Sequence, residues 1–279
     1  MFPKRPFFIF FSTFVRSENY SYKSLQKNVK SIDLKVMLVC VVTALVLTFT
    51  YYFGDYRFFV SFLRELGFID LARQFQEALT IHQDAELYRA LYWASVVIFF
   101  YLILPGICIK WVFRENFTDY GVNFKGAFKY YQLYVLMLII MVPLVIYFSA
   151  SESFLKMYPF YKVAPSDNLF PKFFIWEFFY FLQFFALEFL FRGFILHGTK
   201  HRFGFYAIFF MTVPYCMIHF GKPMPETIAA IIAGVILGYM SLKSRNIWMG
   251  VFVHCSVAFM MDISALFRKG VLGGQNDLL

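Results

Sequence analysis

Long apolar runs recur along the chain, and short polar or basic stretches separate them. Seven runs are long enough, or nearly so, to cross the roughly 30 Å hydrocarbon layer of a bilayer as helices. They cover residues 36–53, 91–113, 130–149, 173–196, 205–220, 227–242 and 247–267. Backbone groups in lipid must be bonded within a helix or a closed barrel, and the runs lack the alternation of barrel strands. The pattern therefore predicts an all-α fold, a polytopic transmembrane bundle of about seven spans.

Residues 55–90, between the first two runs, have a different pattern. The stretches FFVSFLREL and FIDLARQFQEAL place apolar side chains at helical spacing, with charged side chains between them. Amphipathic segments of this kind lie along a membrane surface with the apolar face toward lipid. We therefore expect one or two interfacial helices in this region.

Composition agrees with a membrane protein. The 279 residues are 60% hydrophobic and 15% charged, whereas a soluble domain is about a quarter charged. The mean hydropathy is +0.62. A net charge of +9 would suit a nucleic-acid-binding protein, but the basic residues lie between apolar runs or near the N-terminus rather than on one polar face. Anchoring of cytoplasmic loops at a lipid bilayer explains them better, and we expect no nucleic-acid partner.

The positions of Lys and Arg predict the orientation. Basic residues are concentrated in the N-terminal segment and in three connections, namely 1–35, 110–129, 200–202 and 243–245. With alternating spans all four lie on one side, and the side rich in Lys and Arg is cytoplasmic. We therefore expect a multi-pass membrane protein with a cytoplasmic N-terminus, whose aromatic stretch 7–15 lies at the interface. Arg268 and Lys269, at the opposite end, go against the rule.

Four ionisable side chains interrupt the apolar runs of the C-terminal half. Glu188 and Arg192 are four residues apart and share a helix face, while His219 and His254 lie in two later runs. Ionisable groups at membrane depth mark functional sites by default, although pairing alone can also bury a Glu and an Arg. One carboxylate and two imidazoles suffice to activate a water molecule, so these residues predict a hydrolytic centre.

These residues occur in motifs that together resemble a known family. LEFLFRG contains Glu188 and Arg192, YCMIH ends in His219, and HCSVA begins with His254. Their order and spacing resemble the signature EExxxR, FxxxH and HxxxN of the CPBP intramembrane proteases, also called the Abi or type II CAAX prenyl protease family. The resemblance covers about a third of the chain, and it implies a catalytic core. The domains expected from it are an N-terminal segment, a membrane part with the interfacial helices, and the CPBP-like core, at 1–35, 36–171 and 172–268.

The chain departs from the family pattern at two positions. Leu187 occupies the place of the first Glu, to which water activation in the family is given. Ala258 occupies the place of the Asn that helps to bind the developing oxyanion. Glu188 cannot simply replace its neighbour, because adjacent residues of an α-helix point about 100° apart.

Other carboxylates are candidates for the missing acid. Glu226 follows the GKP turn, and a loop there can fold back toward the mouth of a site, although Glu226 would equally suit the N-terminus of a helix. Asp262 lies two turns beyond the third motif, and Glu177 lies three turns before the first. We expect Glu226 to be the best placed of the three, with Asp262 as a further candidate.

The resemblance also implies a mechanism and partners. A carboxylate and His219 would orient and deprotonate water, and His254 would polarise the scissile carbonyl. Arg192 would keep Glu188 ionised and in position. A catalytic zinc ion would suit the set Glu188, His219 and His254, although the chain has no HExxH motif. The implied substrate is a membrane-bound or lipidated peptide, and the implied location is a bacterial cytoplasmic membrane.

Three functions remain open at the level of sequence. The first is an intramembrane endopeptidase of the CPBP type. The second is a catalytically inactive relative, a membrane scaffold or an immunity or regulatory protein, which Leu187 and Ala258 favour. The third is a small transporter that uses the polar centre as a substrate or proton path, although no inverted repeat is visible. The separation of His219 from His254, and the carboxylate nearest to both, would discriminate between the first two.

Overall fold

The computed structural model describes residues 32–163 and 169–272, and within these ranges it contains helices and no strand. The helices are α1 (Leu34–Phe53), α2 (Tyr56–Glu65), α3 (Ile69–Thr80), α4 (Ala85–Ile107), α5 (Tyr131–Phe148), α6 (Glu152–Met157), α7 (Lys172–Glu188), α8 (Gly198–Phe203), α9 (Tyr206–Met217), α10 (Met224–Ser244) and α11 (Trp248–Arg268). The π-helical segment Cys108–Phe113 extends α4, and a second one, Phe189–His197, joins α7 to α8. The predicted all-α bundle is confirmed. The aromatic stretch 7–15 and most of the N-terminal segment lie outside the described residues.

Six continuous rods in the described ranges are long and apolar enough to cross a bilayer. They are Leu34–Phe53, Ala85–Phe113, Tyr131–Phe148, Lys172–Phe203, Met224–Ser244 and Trp248–Arg268. Each overlaps one of the predicted runs, and α9 is a shorter apolar helix within the remaining run, 205–220. The protein is therefore an integral, multi-pass membrane protein.

The rod Lys172–Phe203 lies at the centre of the bundle. Within its most apolar window 72% of the residues are buried, compared with 11% for α5. The predicted run ended at residue 196, but the rod continues to Phe203, and the chain first leaves the helix at Gly204, where φ is 53°. The central rod therefore carries LEFLFRG in the most enclosed part of the molecule, and α5 lies at the periphery.

The region of residues 55–90 contains the expected amphipathic helices. The side chain of Asp55 caps the first turn of α2 by accepting a bond from the backbone N–H of Arg57. Each helix buries a narrow stripe, formed by Val60 and Leu63 in α2 and by Ala72 and Leu79 in α3. Most of their remaining side chains are exposed, which agrees with helices that rest on a surface rather than cross it.

The four basic regions meet at one end of the bundle. Lys35 forms an ion pair of 2.6 Å with Glu115 in the connection between α4 and α5. Asn123 of the same connection donates to the carbonyl oxygen of Arg245 at 3.5 Å, and Lys200 donates to the carbonyl oxygen of Asp119 at 3.4 Å. The predicted alternation of the spans therefore holds in three dimensions, while the assignment of this end to the cytoplasm stays a prediction.

Arg268 and Lys269 lie at the opposite end and have local partners there. Lys269 donates to the carbonyl oxygen of Tyr158 at 2.7 Å, and Arg268 Nε donates to Ser149 Oγ at 3.4 Å. These two basic residues bind the polar groups that follow α5 and α6. These local bonds explain why two basic residues occur at the end of the bundle where the Lys and Arg distribution predicts few.

Helix α9 is shorter than the predicted span 205–220. Its last residue is Met217, and the following turn contains Gly221 with φ of 91° and Pro223 before α10 begins. Twelve residues of α-helix rise only about 18 Å, which is less than the roughly 30 Å hydrocarbon thickness. The turn that carries His219 therefore begins inside the predicted membrane thickness, where irregular backbone occurs only beside a cavity or within protein.

Candidate active site

An ion pair inside the central rod is the base of the site. Glu188 is the last residue of α7, Arg192 lies in the π-helical segment, and both side chains are fully buried. Arg192 Nη1 lies 3.1 Å from Glu188 Oε1, and the guanidinium carbon lies 4.1 Å from the ring centroid of Tyr215. The guanidinium N–H groups are not aligned for hydrogen bonds, so charge attraction and a cation–π contact hold this side chain. π-Helical turns are rare in proteins overall, but those that occur are often found at functional sites.

His254 of α11 contacts the same carboxylate. Its Nδ1 lies 2.7 Å from Glu188 Oε1, and its ring stacks against Phe184 with centroids 5.5 Å apart. Gly250, one turn earlier in α11, leaves room for the acid, since a β-carbon there would lie 2.5 Å from Glu188 Oε2. Glu188 therefore joins α7 to α11 and orients the imidazole, so that Nε2 points away from the acid.

Tyr215 of α9 connects the two histidines. Its hydroxyl lies 2.8 Å from Nε2 of His254. Its carbonyl oxygen lies 2.8 Å from Nδ1 of His219, and the two rings are 4.9 Å apart between centroids. Because a carbonyl oxygen can only accept, His219 carries a proton on Nδ1, and Nε2 of its neutral ring is an acceptor. The imidazoles predicted from sequence thus lie on either side of one buried tyrosine.

A cavity of about 350 Å³ lies beside these residues. His219, His254 and Tyr215 all line it. One wall consists of apolar side chains of α5, namely Met137, Met141, Leu144, Val145 and Phe148. Further polar side chains reach it from the end of the bundle opposite the basic connections, namely Ser151, Ser153, Tyr158, Lys222 and Glu226. Residues from six helices and their connections therefore form one partly polar pocket.

Glu226 lines this cavity, and it does so from the first turn of α10 rather than from a loop. Lys222 Nζ lies 2.7 Å from one of its oxygens, and the Tyr158 hydroxyl donates to both at 2.8 and 2.9 Å. Burial above all, and then the negative charge of nearby groups including Glu226, raises the pKa of Tyr158 well above its ordinary value, so its hydroxyl remains a donor. The carboxylate is therefore on the cavity but already has two partners.

Asp262 lies in a second acidic cluster. It is fully buried, and its Oδ2 accepts a bond of 3.2 Å from Trp176 Nε1. Glu177 of α7 is also buried, and its carboxyl group lies close enough to that of Asp262 for the two to interact. Among the described residues that line the cavity neither acid appears. The structure thus brings together Glu188, Arg192, His219, His254 and Glu226, and it places Asp262 elsewhere.

The two positions that depart from the family pattern have different surroundings. Leu187 is 5% exposed and packs in the main hydrophobic core. Ala258 is also buried, but it lines the cavity. The position of the missing Glu is therefore filled by ordinary core packing, whereas the position of the missing Asn leaves a small apolar residue on the wall of the pocket.

The residues present do not fit a zinc site. Both ring nitrogens of His254 have protein partners, and the oxygen of Glu188 nearest to them also contacts Arg192. In the described part of the chain no three His, Cys, Asp or Glu side chains are arranged to hold a metal ion. His219 lines the cavity with one ring nitrogen bonded to a backbone carbonyl oxygen, and a single imidazole nitrogen does not make a zinc site, so we derive no step through a metal.

Sequence reasoning missed four residues of the site, namely Tyr158, Tyr215, Lys222 and Gly250. YCMIH has Tyr215 where the FxxxH signature has Phe, and the hydroxyl of this tyrosine was the available signal. A Gly four residues before a His on one helix was the signal for the space that the acid occupies. Nothing in the sequence pairs Tyr158 with Glu226, since 68 residues separate them.

Comparison with known proteins agrees with the motifs. Residues 169–260 match a family model described as type II CAAX prenyl endopeptidase Rce1-like. The matched range contains Glu188, Arg192, His219 and His254, and it ends before Asp262. No curated protein and no solved structure matches the chain.

Proposed function

We propose that this chain, which belongs to the type II CAAX prenyl endopeptidase family through residues 169–260, is an intramembrane endopeptidase that hydrolyses a peptide bond of a membrane-bound or lipidated peptide. One observation carries the proposal: His219 and His254 line the same cavity, on either side of Tyr215 and with Glu188 against His254. Two imidazoles and a carboxylate in one pocket are sufficient for acid–base hydrolysis.

His219 acts as the general base. The bond from Nδ1–H to the Tyr215 carbonyl oxygen selects the tautomer with a lone pair on Nε2, on a ring that lines the cavity. Nε2 takes a proton from water as the water oxygen attacks the scissile carbonyl carbon, and it later gives this proton to the departing amine. A turn at membrane depth positions this imidazole, and the Thr227 hydroxyl fixes the turn by donating to the His219 carbonyl oxygen at 2.9 Å.

His254 acts on the carbonyl side of the reaction. Glu188, 2.7 Å from Nδ1, orients the imidazole on the wall of the cavity, on the side where the carbonyl oxygen becomes negative in the transition state. Arg192 balances the carboxylate from within the rod. These two residues position the imidazole, and neither needs to touch the substrate.

Glu226 is the acid that we assign to the cavity in place of the missing family Glu. Its carboxylate can orient the attacking water, since it lines the pocket that both histidines line. Lys222 and Tyr158 hold it in place, and neither removes its negative charge. We give Asp262 no part in the reaction.

The shape of the cavity supports a substrate that arrives from the membrane. A volume of about 350 Å³ lies in the range of about 300–1,000 Å³ typical of sites for small ligands, so it holds a few residues of a peptide. Helix α5 supplies the apolar wall and is itself mostly exposed at the periphery. A peptide with an apolar anchor can therefore reach the histidines from the lipid side, while polar groups bind its backbone.

The test is cleavage of membrane-anchored peptides by the purified protein in proteoliposomes, followed by mass spectrometry. We expect His219→Ala and His254→Ala each to abolish cleavage. His82→Ala is the matched control, because His82 is exposed in the turn between α3 and α4 and should not be required. Normal cleavage by both site variants would refute the proposal.

A catalytically inactive relative is the second candidate, a membrane scaffold or an immunity or regulatory protein. Leu187 in the apolar core favours it, since no carboxylate occupies that position of the rod. In this case the native protein would cleave none of the peptides, and the variants at both histidines would alter only its stability or its binding. Solute uptake by the proteoliposomes without peptide cleavage would instead indicate a transporter.

A further inference from the structure

The hydroxyl of Tyr215 has no counterpart in the family signature, which has Phe at this position. Ala258 shows the reverse change, because the signature has Asn there. Both residues line the cavity in this chain. The pocket has thus gained a hydrogen-bond donor on α9 and lost one on α11.

We propose that the Tyr215 hydroxyl donates the hydrogen bond that stabilises the oxyanion of the tetrahedral intermediate, in the role of the Asn that Ala258 replaces. The inference rests on the proposed peptidase function. It identifies the group that touches the reacting oxygen and leaves His254 to act through Tyr215.

The ring of Tyr215 is held on several sides, so the hydroxyl has a fixed position. Arg192 stacks on one face at 4.1 Å, and the ring of Phe191 meets it edge to face with centroids 5.3 Å apart. Gly234 of α10 lets the ring approach closely, because a β-carbon there would lie 3.1 Å from Cδ1. A donor that is fixed before the reaction stabilises developing charge without reorganising, which is the property that an oxyanion site needs.

The hydrogen bond between Tyr215 and His254 lets the phenol turn toward the substrate. With one proton on Nδ1, facing Glu188, His254 accepts the phenol O–H at Nε2. When Nε2 also carries a proton, taken from water before the substrate binds and kept throughout the reaction, the imidazolium donates to the phenol oxygen instead. The phenol O–H is then free to donate into the cavity.

The reaction balances with this donor. The water oxygen bonds to the carbonyl carbon, its proton moves to His219 Nε2, and the π electrons of the carbonyl move to the oxygen that Tyr215 binds. On collapse the C=O bond forms again, the C–N bond breaks, and the amine takes the proton from His219. Tyr215 keeps its own proton throughout.

The experiment compares Tyr215→Phe, Ala258→Asn and the double variant in the peptide-cleavage assay. Removal of one oxyanion donor lowers kcat by about 100-fold or more, so we expect such a loss in Tyr215→Phe, with KM little changed. Phe keeps the ring against Arg192, and it is the residue of the family signature at this position. Tyr101→Phe is the matched control, since Tyr101 is a buried tyrosine that packs on Phe191 away from the cavity. It should keep the native kcat.

The rescue variant separates catalysis from structure. Adding Ala258→Asn should raise the kcat of Tyr215→Phe by about tenfold or more, whereas Ala258→Asn alone should change the native enzyme little, because one donor already serves. A structural role of the phenol would not be restored by an amide on another helix. Cleavage by Tyr215→Phe at the native rate, or loss without rescue, would overturn the assignment. A large gain from Ala258→Asn alone would overturn it even if Tyr215→Phe failed to fold. A native protein that cleaves nothing would instead refute the proposed function, and this inference with it.

Discussion

Replacing Gly250 by Ala tests whether the space beside Glu188 is required. The added β-carbon would lie 2.5 Å from Oε2 and 3.0 Å from Cδ of Glu188, whereas ordinary contacts begin at 3.4 Å. The carboxylate must therefore move by about 0.9 Å, the difference between these distances. It has little freedom to do so, because Arg192 and His254 hold its other oxygen at 3.1 and 2.7 Å.

Two opposing effects determine the magnitude. Overpacking of a buried site costs about 1–3 kcal/mol, and Ala in place of Gly inside a helix returns about 1 kcal/mol. We therefore expect Gly250→Ala to lower the free energy of unfolding by up to about 2 kcal/mol. A shift of about 1 Å in a group that orients a catalytic imidazole can lower kcat by about 100-fold, so activity should suffer more than stability.

Thermal unfolding in detergent and peptide cleavage measure these two effects. Gly106→Ala in α4 is the matched control, since a β-carbon there would meet only the ring of Phe117, at 3.9 Å. The control should gain stability from helix propensity and keep full activity. If Gly250→Ala were as stable and as active as the control, Glu188 would not be held against α11 as described. The thermal unfolding measurement needs no peptide substrate.

Three further substitutions test the acids. Glu188→Gln leaves the buried Arg192 without its counter-ion and should cost about 3–5 kcal/mol in thermal unfolding, whereas Glu226→Gln breaks a partly exposed pair and should cost about 1 kcal/mol or less. Equal losses in the two variants would show that the Glu188 pair is not the buried one. Asp262→Asn keeps an acceptor for Trp176 and gives Glu177 an amide partner, so the cleavage rate should remain native, and its loss would bring Asp262 back as the catalytic acid.

Much of the fold was predictable because it depends on short-range patterns. A run of apolar residues of sufficient length predicts a spanning helix by itself, and six of the runs are rods of that length. The end of α9 was not predictable, because Ile218 and Phe220 continue the apolar run after Met217 and the first turn signal is Gly221. The continuation of the central rod to Phe203 was missed, because polar residues from Thr199 onward resemble a loop.

The candidate site was predictable as a set of residues but not as an arrangement. Helical spacing alone predicted the contact of Glu188 with Arg192, and the structure has it at 3.1 Å. Spacing also placed Asp262 near the face of His254, yet Asp262 bonds to Trp176. The packing of α11 against α7 decides that His254 meets Glu188 and that Asp262 meets Trp176, and no local pattern contains that information.

The sequence by itself determined that this protein is a helical membrane protein, and its motifs named the two histidines, the acid and the arginine. Helix period, span length and the cost of burying charge are properties of single segments, so each can be inferred from the local sequence. Only the tertiary structure decided that Tyr215 joins His219 to His254, that Gly250 makes room for Glu188, and that Glu226 reaches the cavity. These contacts depend on how rods distant in sequence pack together, and side-chain shape and close approach between helices govern that packing.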